Sequence, residues 1–221
     1  MDSSAITLKH GIKGIIFDLD GTLVDSFRDI TTALNLTRAE FGHGPLPLEE
    51  VKRNVGSGSA HLVKVCVPVP EAQFEAAYQH YLAGYEAHAL DETAPLEGVV
   101  DVLDHYASLH LAVVTNKLSN LTGRILNGLG LWNRFGIVLG SDALERRKPD
   151  PMPLQHVAAH FGLRTQQLVM VGDGLHDVEA GKAAGCLTVG VNSGVATEAE
   201  LRAAGPDFLI PNMAALRGVL G

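Results

Sequence analysis

Six short apolar runs recur along the chain: Gly-Ile-Ile-Phe (14–17), Leu-Ala-Val-Val-Thr (111–115), Gly-Ile-Val-Leu-Gly (136–140), Leu-Val-Met-Val-Gly (168–172), Leu-Thr-Val-Gly-Val (187–191) and Phe-Leu-Ile (208–210). A strand with one wet face alternates apolar and polar residues, and these runs do not. They therefore predict strands covered on both faces. Between most of them lie apolar residues at helical spacing. Leu118, Leu121, Ile125 and Leu129 make one stripe, and Leu154, Val157, Ala158 and Phe161 make another. Strand, helix, strand, repeated in this way, predicts an α/β parallel sheet with helices on both faces.

The rhythm breaks once. From about Phe27 to Leu90 no strand run occurs, and helical stripes take over: Ile30, Ala33, Leu34, Thr37 and Phe41, then Phe74, Ala77, Tyr78, Tyr81 and Tyr85. This predicts a helical insertion between the first and second strands of the sheet. Loops at the carboxyl ends of parallel strands carry function, so a long insertion there is placed to act as a lid. The alternative is a helical subdomain with a structural role only.

Composition narrows the function classes. The 221 residues are 46% hydrophobic but only 5% aromatic, enough for a substantial, mostly aliphatic core. A net charge of −8 without a long basic block argues against nucleic acid or an anionic membrane as partner. Cys66 and Cys186 are far apart and form no CxxC pair or disulfide framework, so ordinary buried or half-buried thiols are expected. The first 14 residues have no signal-peptide core, and no run approaches the length of a membrane span. A cytoplasmic protein is the expectation.

Polar residues gather where the apolar runs stop. The first run ends in Asp18 and Asp20, the second in Thr115 and Asn116, and the fourth in Gly-Asp-Gly-Leu-His-Asp, which carries Asp173 and Asp177. Lys148 lies in the connection between the third and fourth. Each alone has a cheap explanation as a turn or helix cap. In a parallel sheet, however, all of them come to one edge. Four carboxylates there raise one another's pKa unless a cation sits among them. Mg²⁺ with oxygen ligands answers this, with Lys148 as a second positive charge. A phosphate ester is the substrate such a site suits, with a carboxylate attacking phosphorus.

The residues Asp18-Leu19-Asp20-Gly21-Thr22-Leu23-Val24-Asp25-Ser26, Thr115-Asn116, Lys148-Pro149 and Gly172-Asp173 with Asp177 resemble the four motifs of the haloacid dehalogenase superfamily. Three longer stretches, including "KPDPMPLQHVAAHFGL", are similar to its phosphoglycolate phosphatase-like branch. The resemblance implies a Rossmann-like core (1–24 and 92–221) and a small α-helical cap (25–91). It implies Asp18 as nucleophile, Asp20 as acid and base, and Lys148 as the neutralising cation. Mg²⁺ would be held by Asp18, Asp173, Asp177 and the carbonyl of Asp20. Thr115 and Asn116 would bind phosphate, with Gly21 and Thr22 presenting backbone N–H groups to it. In the cap, "KRNVGSGSAHLV" makes Arg53, Gly56 and Ser57 the candidates for the non-phosphate end, an arginine suiting a carboxylate. Asp25 reads as a hinge or helix-capping residue. Gly174 stands where the family often has Ser or Thr, and His176 is expected to face solvent at a helix start, the alternative being contact with the acidic cluster.

The implied function is a Mg²⁺-dependent phosphatase for a small phosphorylated metabolite, with 2-phosphoglycolate leading, in a monomer or homodimer. Alternatives are another small phosphate (a sugar phosphate, a nucleoside monophosphate or pyrophosphate), a phosphomutase of the β-phosphoglucomutase type, or a non-catalytic binding protein. Asp20 argues against phosphonate cleavage, and the complete carboxylate set argues against dehalogenation.

Overall fold

The computed structural model describes residues 11–221. The expectation of no signal-peptide core, and the first ten residues of the expected core domain, lie outside them. In chain order the elements are β1 (Gly14–Phe17), β2 (Val24–Asp25), α1 (Phe27–Glu40), α2 (Leu48–Lys52), α3 (Ser59–Cys66), α4 (Glu71–His88) and β3 (Ala94–Pro95). Then come α5 (Val99–His105), β4 (His110–Val114), α6 (Ser119–Gly128), β5 (Ile137–Leu139), α7 (Met152–Phe161) and β6 (Leu168–Gly172). The chain closes with α8 (Leu175–Ala184), β7 (Leu187–Val191), α9 (Glu198–Ala204), β8 (Phe208–Ile210) and α10 (Leu216–Leu220).

All six apolar runs are strands of one sheet, ordered β5-β4-β1-β6-β7-β8 and parallel throughout. The lack of alternation has the expected cause. In β1, Ile15 and Phe17 join a core with α5 and α6, including Val102, Leu121 and Ile125. Ile16 points the other way, into a core with α7 and α8 that holds Leu154, Val157 and Ala180. Both faces are dry, so every position is apolar.

β1 sits between β4 and β6, with Phe17 opposite Val113 and Val171. The chain runs outward from β1 to β4 and β5, then crosses back to β6, so the order reverses beside β1. That is the crevice where open α/β sheets bind ligands. Asp18, Thr115 and Asp173 are the residues that follow β1, β4 and β6.

The long strandless segment is helical, as the stripes predict. α1 packs against α4, burying Ile30, Ala33, Leu34 and Thr37 against a stripe that includes Ala77, Tyr81 and Tyr85. The sequence reading missed a two-stranded antiparallel ribbon where the chain enters and leaves these helices. Val24 pairs with Pro95 and Asp25 with Ala94. Two residues per strand are too few to show a period. Asp25 lies in this ribbon, exposed, and Oδ1 accepts from the Phe27 N–H at 3.3 Å. Buried Asp29 ties entry to exit by accepting from Glu92 N (3.0 Å), Thr93 N (2.8 Å) and Thr93 Oγ1 (2.6 Å).

Both cysteines are free and buried, and burial pushes the Cys186 thiol up to about 12. Among the described residues no helix is long and apolar enough to cross a membrane.

Candidate active site

The sheet edge is built by close turns. After Asp18 the chain folds back, with the N–H groups of Leu23 and Val24 donating to the Leu19 carbonyl at 2.9 and 3.0 Å. Gly21 holds φ +83°, a left-handed conformation in which a Cβ would also stand 2.4 Å from Asp173 Oδ2. This corrects one expectation. Gly21 N–H donates to the Val24 carbonyl (2.8 Å) and Thr22 N–H to Leu19 (3.3 Å), so the turn consumes both donors instead of presenting them to phosphate. Thr22 serves through its side chain, donating to Asp173 Oδ1 at 2.6 Å.

Three carboxylates converge at the end of the sheet. Oxygens of Asp18, Asp173 and Asp177 lie within 4.8 Å of one another. Lys148 reaches between two of them, with Nζ 2.9 Å from Asp18 Oδ1 and 2.6 Å from Asp177 Oδ1. Its side chain is buried. Burial by itself lowers an ammonium's pKa, but Asp177 and Asp18 raise it further, so Lys148 is held charged.

One ammonium does not balance three carboxylates. Burial, then the charges of Asp18 and Asp177, push Asp173 up to about 8. Burial also lifts Asp177 to about 6, against the pull of Lys148 and with Asp18 adding to the rise. Asp18 Oδ1 is buried, with the Lys148 ammonium as its one ion-pair partner among the described residues. An all-oxygen set carrying more negative charge than Lys148 balances fits a hard divalent cation. The carboxylate of Asp20 stands apart from the cluster.

Other expected residues divide into those that line the cavity and those that hold the frame. The cavity measures about 500 Å³ and is lined by Asp18, Asp20, Thr115, Asn116, Lys148, Asp173 and Asp177 from the sheet edge. Arg53, Gly56 and Ser57 line it from the helical insertion. Gly21 and Thr22 do not line it. Thr115 Oγ1 accepts from the Lys117 N–H at 3.2 Å and keeps its own O–H to donate. Asn116 Nδ2 donates to the carbonyls of Gly56 (2.8 Å) and Lys148 (3.0 Å). Its two N–H donors therefore hold backbone in place and are not turned toward phosphate. Arg53 lines the cavity, and among the described residues its guanidinium has no ion-pair or hydrogen-bond partner.

His176 does more than face solvent. Its side chain is 37% exposed at the start of α8, and it also borders the cavity, with Nε2 3.0 Å from Ser57 Oγ, joining α8 to the insertion. Gly174 precedes that helix, and its N–H donates to Asp177 Oδ2 at 3.0 Å. The carboxylate of Asp177 thus reaches back to the helix start with one oxygen and to Lys148 with the other.

Sequence reasoning missed Lys117. It directly follows Thr115-Asn116, but a lone lysine after a strand reads as a solvated loop residue. In the structure it is buried, with Nζ 3.1 Å from Asp20 Oδ1. Ser26 was likewise overlooked. Its hydroxyl donates to the same oxygen.

A model of the haloacid dehalogenase-like hydrolase family matches residues 15–191. The phosphoglycolate phosphatase of Chromobacterium violaceum is 38% identical over 219 residues, covering 96% of this chain and 97% of its own length. That of Thiobacillus denitrificans is 37% identical over 217 residues, covering 92% and 93%. Among solved structures, a predicted phosphoglycolate phosphatase from Haemophilus somnus superposes with a TM-score of 0.91 at 26% identity, over 96% of this chain and 99% of that one.

Proposed function

The chain belongs to the haloacid dehalogenase-like hydrolase family, and on that premise we propose that it is a Mg²⁺-dependent phosphatase for small phosphomonoesters, with 2-phosphoglycolate as lead substrate. The observation that carries this reading is Lys148 Nζ lying 2.9 Å from Asp18 and 2.6 Å from Asp177, within a three-carboxylate cluster that opens on the cavity. Two relatives that align along nearly their full lengths bear the name phosphoglycolate phosphatase, which supports the choice of substrate.

Asp18 attacks phosphorus through a carboxylate oxygen, and the bond to the leaving oxygen breaks. An aspartyl-phosphate results. Asp20 gives its proton to the departing alkoxide, then takes one from the water that cleaves the acyl phosphate. Lys148 stays positive throughout and offsets charge on Asp18 and the phosphoryl oxygens. The hydroxyl of Thr115 donates to one of those oxygens. Asp18, Asp173 and Asp177, with the Asp20 carbonyl, would hold Mg²⁺, which when bound neutralises the phosphoryl oxygens as a Lewis acid.

Residues 25–91 act as a cap over a core of 1–24 and 92–221. The cap supplies Arg53, whose free guanidinium is matched to the carboxylate of phosphoglycolate. Gly56 and Ser57 sit where the cap meets Asn116 and His176.

A purified-protein assay tests the reading. Phosphate release from 2-phosphoglycolate, sugar phosphates, nucleoside monophosphates and pyrophosphate is measured with Mg²⁺ and with EDTA. Metal-dependent turnover with the highest kcat/KM for 2-phosphoglycolate is expected. Absence of turnover on every ester would sink the enzyme reading, and a different best substrate would sink only the choice of phosphoglycolate.

A further inference from the structure

Asp20 must present one carboxylate oxygen to the leaving group, and the residues around it decide which. Oδ1 is doubly engaged. The Ser26 hydroxyl bonds to it, and Lys117 Nζ lies 3.1 Å away. Lys117 is itself held. Its ammonium donates to the Tyr85 hydroxyl and stands 4.2 Å from the centre of that ring. All three side chains are nearly dry, with Tyr85 1% and Lys117 8% exposed against 9% for Asp20. A buried ammonium with a carboxylate, a hydroxyl and an aromatic face around it has little freedom to turn.

Lys148 already supplies positive charge to Asp18 and Asp177, and Lys117 touches neither. The two lysines therefore divide the carboxylates between them. One serves the nucleophile and the cation cluster, and the other serves Asp20 alone. Lys117 arrives from the loop after β4, Tyr85 from α4 and Ser26 from the residue before α1. The carboxylate is thus held from both the sheet and the helical insertion.

We propose that Lys117, fixed by Tyr85, is a positioning residue for Asp20 that pins Oδ1 and leaves Oδ2 to exchange the proton with the leaving oxygen. The inference rests on the phosphatase reading above. Lys117 transfers no proton and forms no bond to substrate. Its effect is confined to the proton transfers of Asp20, and in the step that expels the leaving group it depends on how much protonation that group needs. An alkoxide leaves only with a proton, whereas 4-nitrophenolate leaves without one.

The experiment compares kcat/KM for 2-phosphoglycolate and 4-nitrophenyl phosphate in wild type, Lys117→Met, Lys117→Arg and Tyr85→Phe. This ratio reports steps up to the aspartyl-phosphate, so it isolates the departure of the leaving group. General acid catalysis contributes about 10²–10⁴-fold, so Lys117→Met should lose at least about 10²-fold on the alkyl ester and under about 10-fold on the aryl ester. Lys117→Arg should recover part of the alkyl loss. Tyr85→Phe keeps the ion pair and the ring, and should show the same selectivity with a smaller loss even where Lys117→Met folds poorly. Equal losses on both esters would reduce Lys117 to a structural role and overturn the proposal. Wild type inactive on both esters would overturn the phosphatase reading and this inference with it.

Discussion

Thr22 donates its hydroxyl to Asp173 Oδ1 at 2.6 Å, across 151 residues of chain. The bond joins the turn after β1 to the residue after β6, and both residues are buried. Asp173 Oδ2 is held in turn by the Val195 N–H at 2.8 Å. Both oxygens of this cluster carboxylate are thus aimed by groups outside the cluster. Thr22→Val keeps the shape and removes the donor. Groups of this kind orient metal ligands, and losing one typically costs about 10–100-fold in metal affinity. Isothermal titration with Mg²⁺ should show a loss in that range, and an unchanged affinity would contradict this role.

Asp18→Asn should abolish turnover, by more than about 10³-fold in kcat, as removal of a nucleophile does. The fold should survive, because Asp18 adds charge to an already crowded cluster. In EDTA the variant should melt at the same temperature as wild type or higher, since Asp18 raises the pKa of both Asp173 and Asp177. Circular dichroism melting together with the phosphatase assay checks both halves. A clear loss of stability in EDTA would contradict the electrostatic account.

Arg53 borders the cavity with its guanidinium unpaired among the described residues. A charge-assisted hydrogen bond contributes about 1.5–3 kcal/mol. Arg53→Ala should therefore raise KM for 2-phosphoglycolate by about 10–100-fold. KM for ethyl phosphate, which has no carboxylate, should change little. Equal effects on the two substrates would remove Arg53 from the role of carboxylate partner.

Burial, with the repulsion of Asp18, raises the folded pKa of Asp173 to about 8, and burial raises that of Asp177 to about 6, both from 3.8. Without a cation, the folded chain therefore binds these protons more tightly than the unfolded one. Their contribution to stability is complete below the unfolded value and is lost as pH rises through the folded ones, between about pH 4 and 8. A divalent cation competes with these protons and replaces them. The rise in melting temperature on adding Mg²⁺ should thus grow from pH 5 to pH 8. A Mg²⁺ effect independent of pH over that interval would contradict the assignment of these carboxylates as its ligands.

Local pattern made most of the fold legible. A strand buried on both faces must be apolar at each position, so Ile15, Ile16 and Phe17 announce β1 without knowledge of any neighbour. The helical stripes around Leu34 and Tyr81 follow from 3.6 residues per turn in the same way. The cluster was legible too, because parallel strands bring their carboxyl ends together, and Asp18, Thr115 and Asp173 each follow a strand. What pattern could not supply were the partners of each polar group. The N–H groups of Gly21 and Thr22 are spent in their own turn, and Asn116 holds the carbonyls of Gly56 and Lys148. Hydrogen bonds between segments distant in sequence leave no periodic trace. Lys117 is the clearest instance. In one dimension it is a charged residue after a strand, and only folding α4 over the sheet edge places Tyr85 and Asp20 around its ammonium and removes the water.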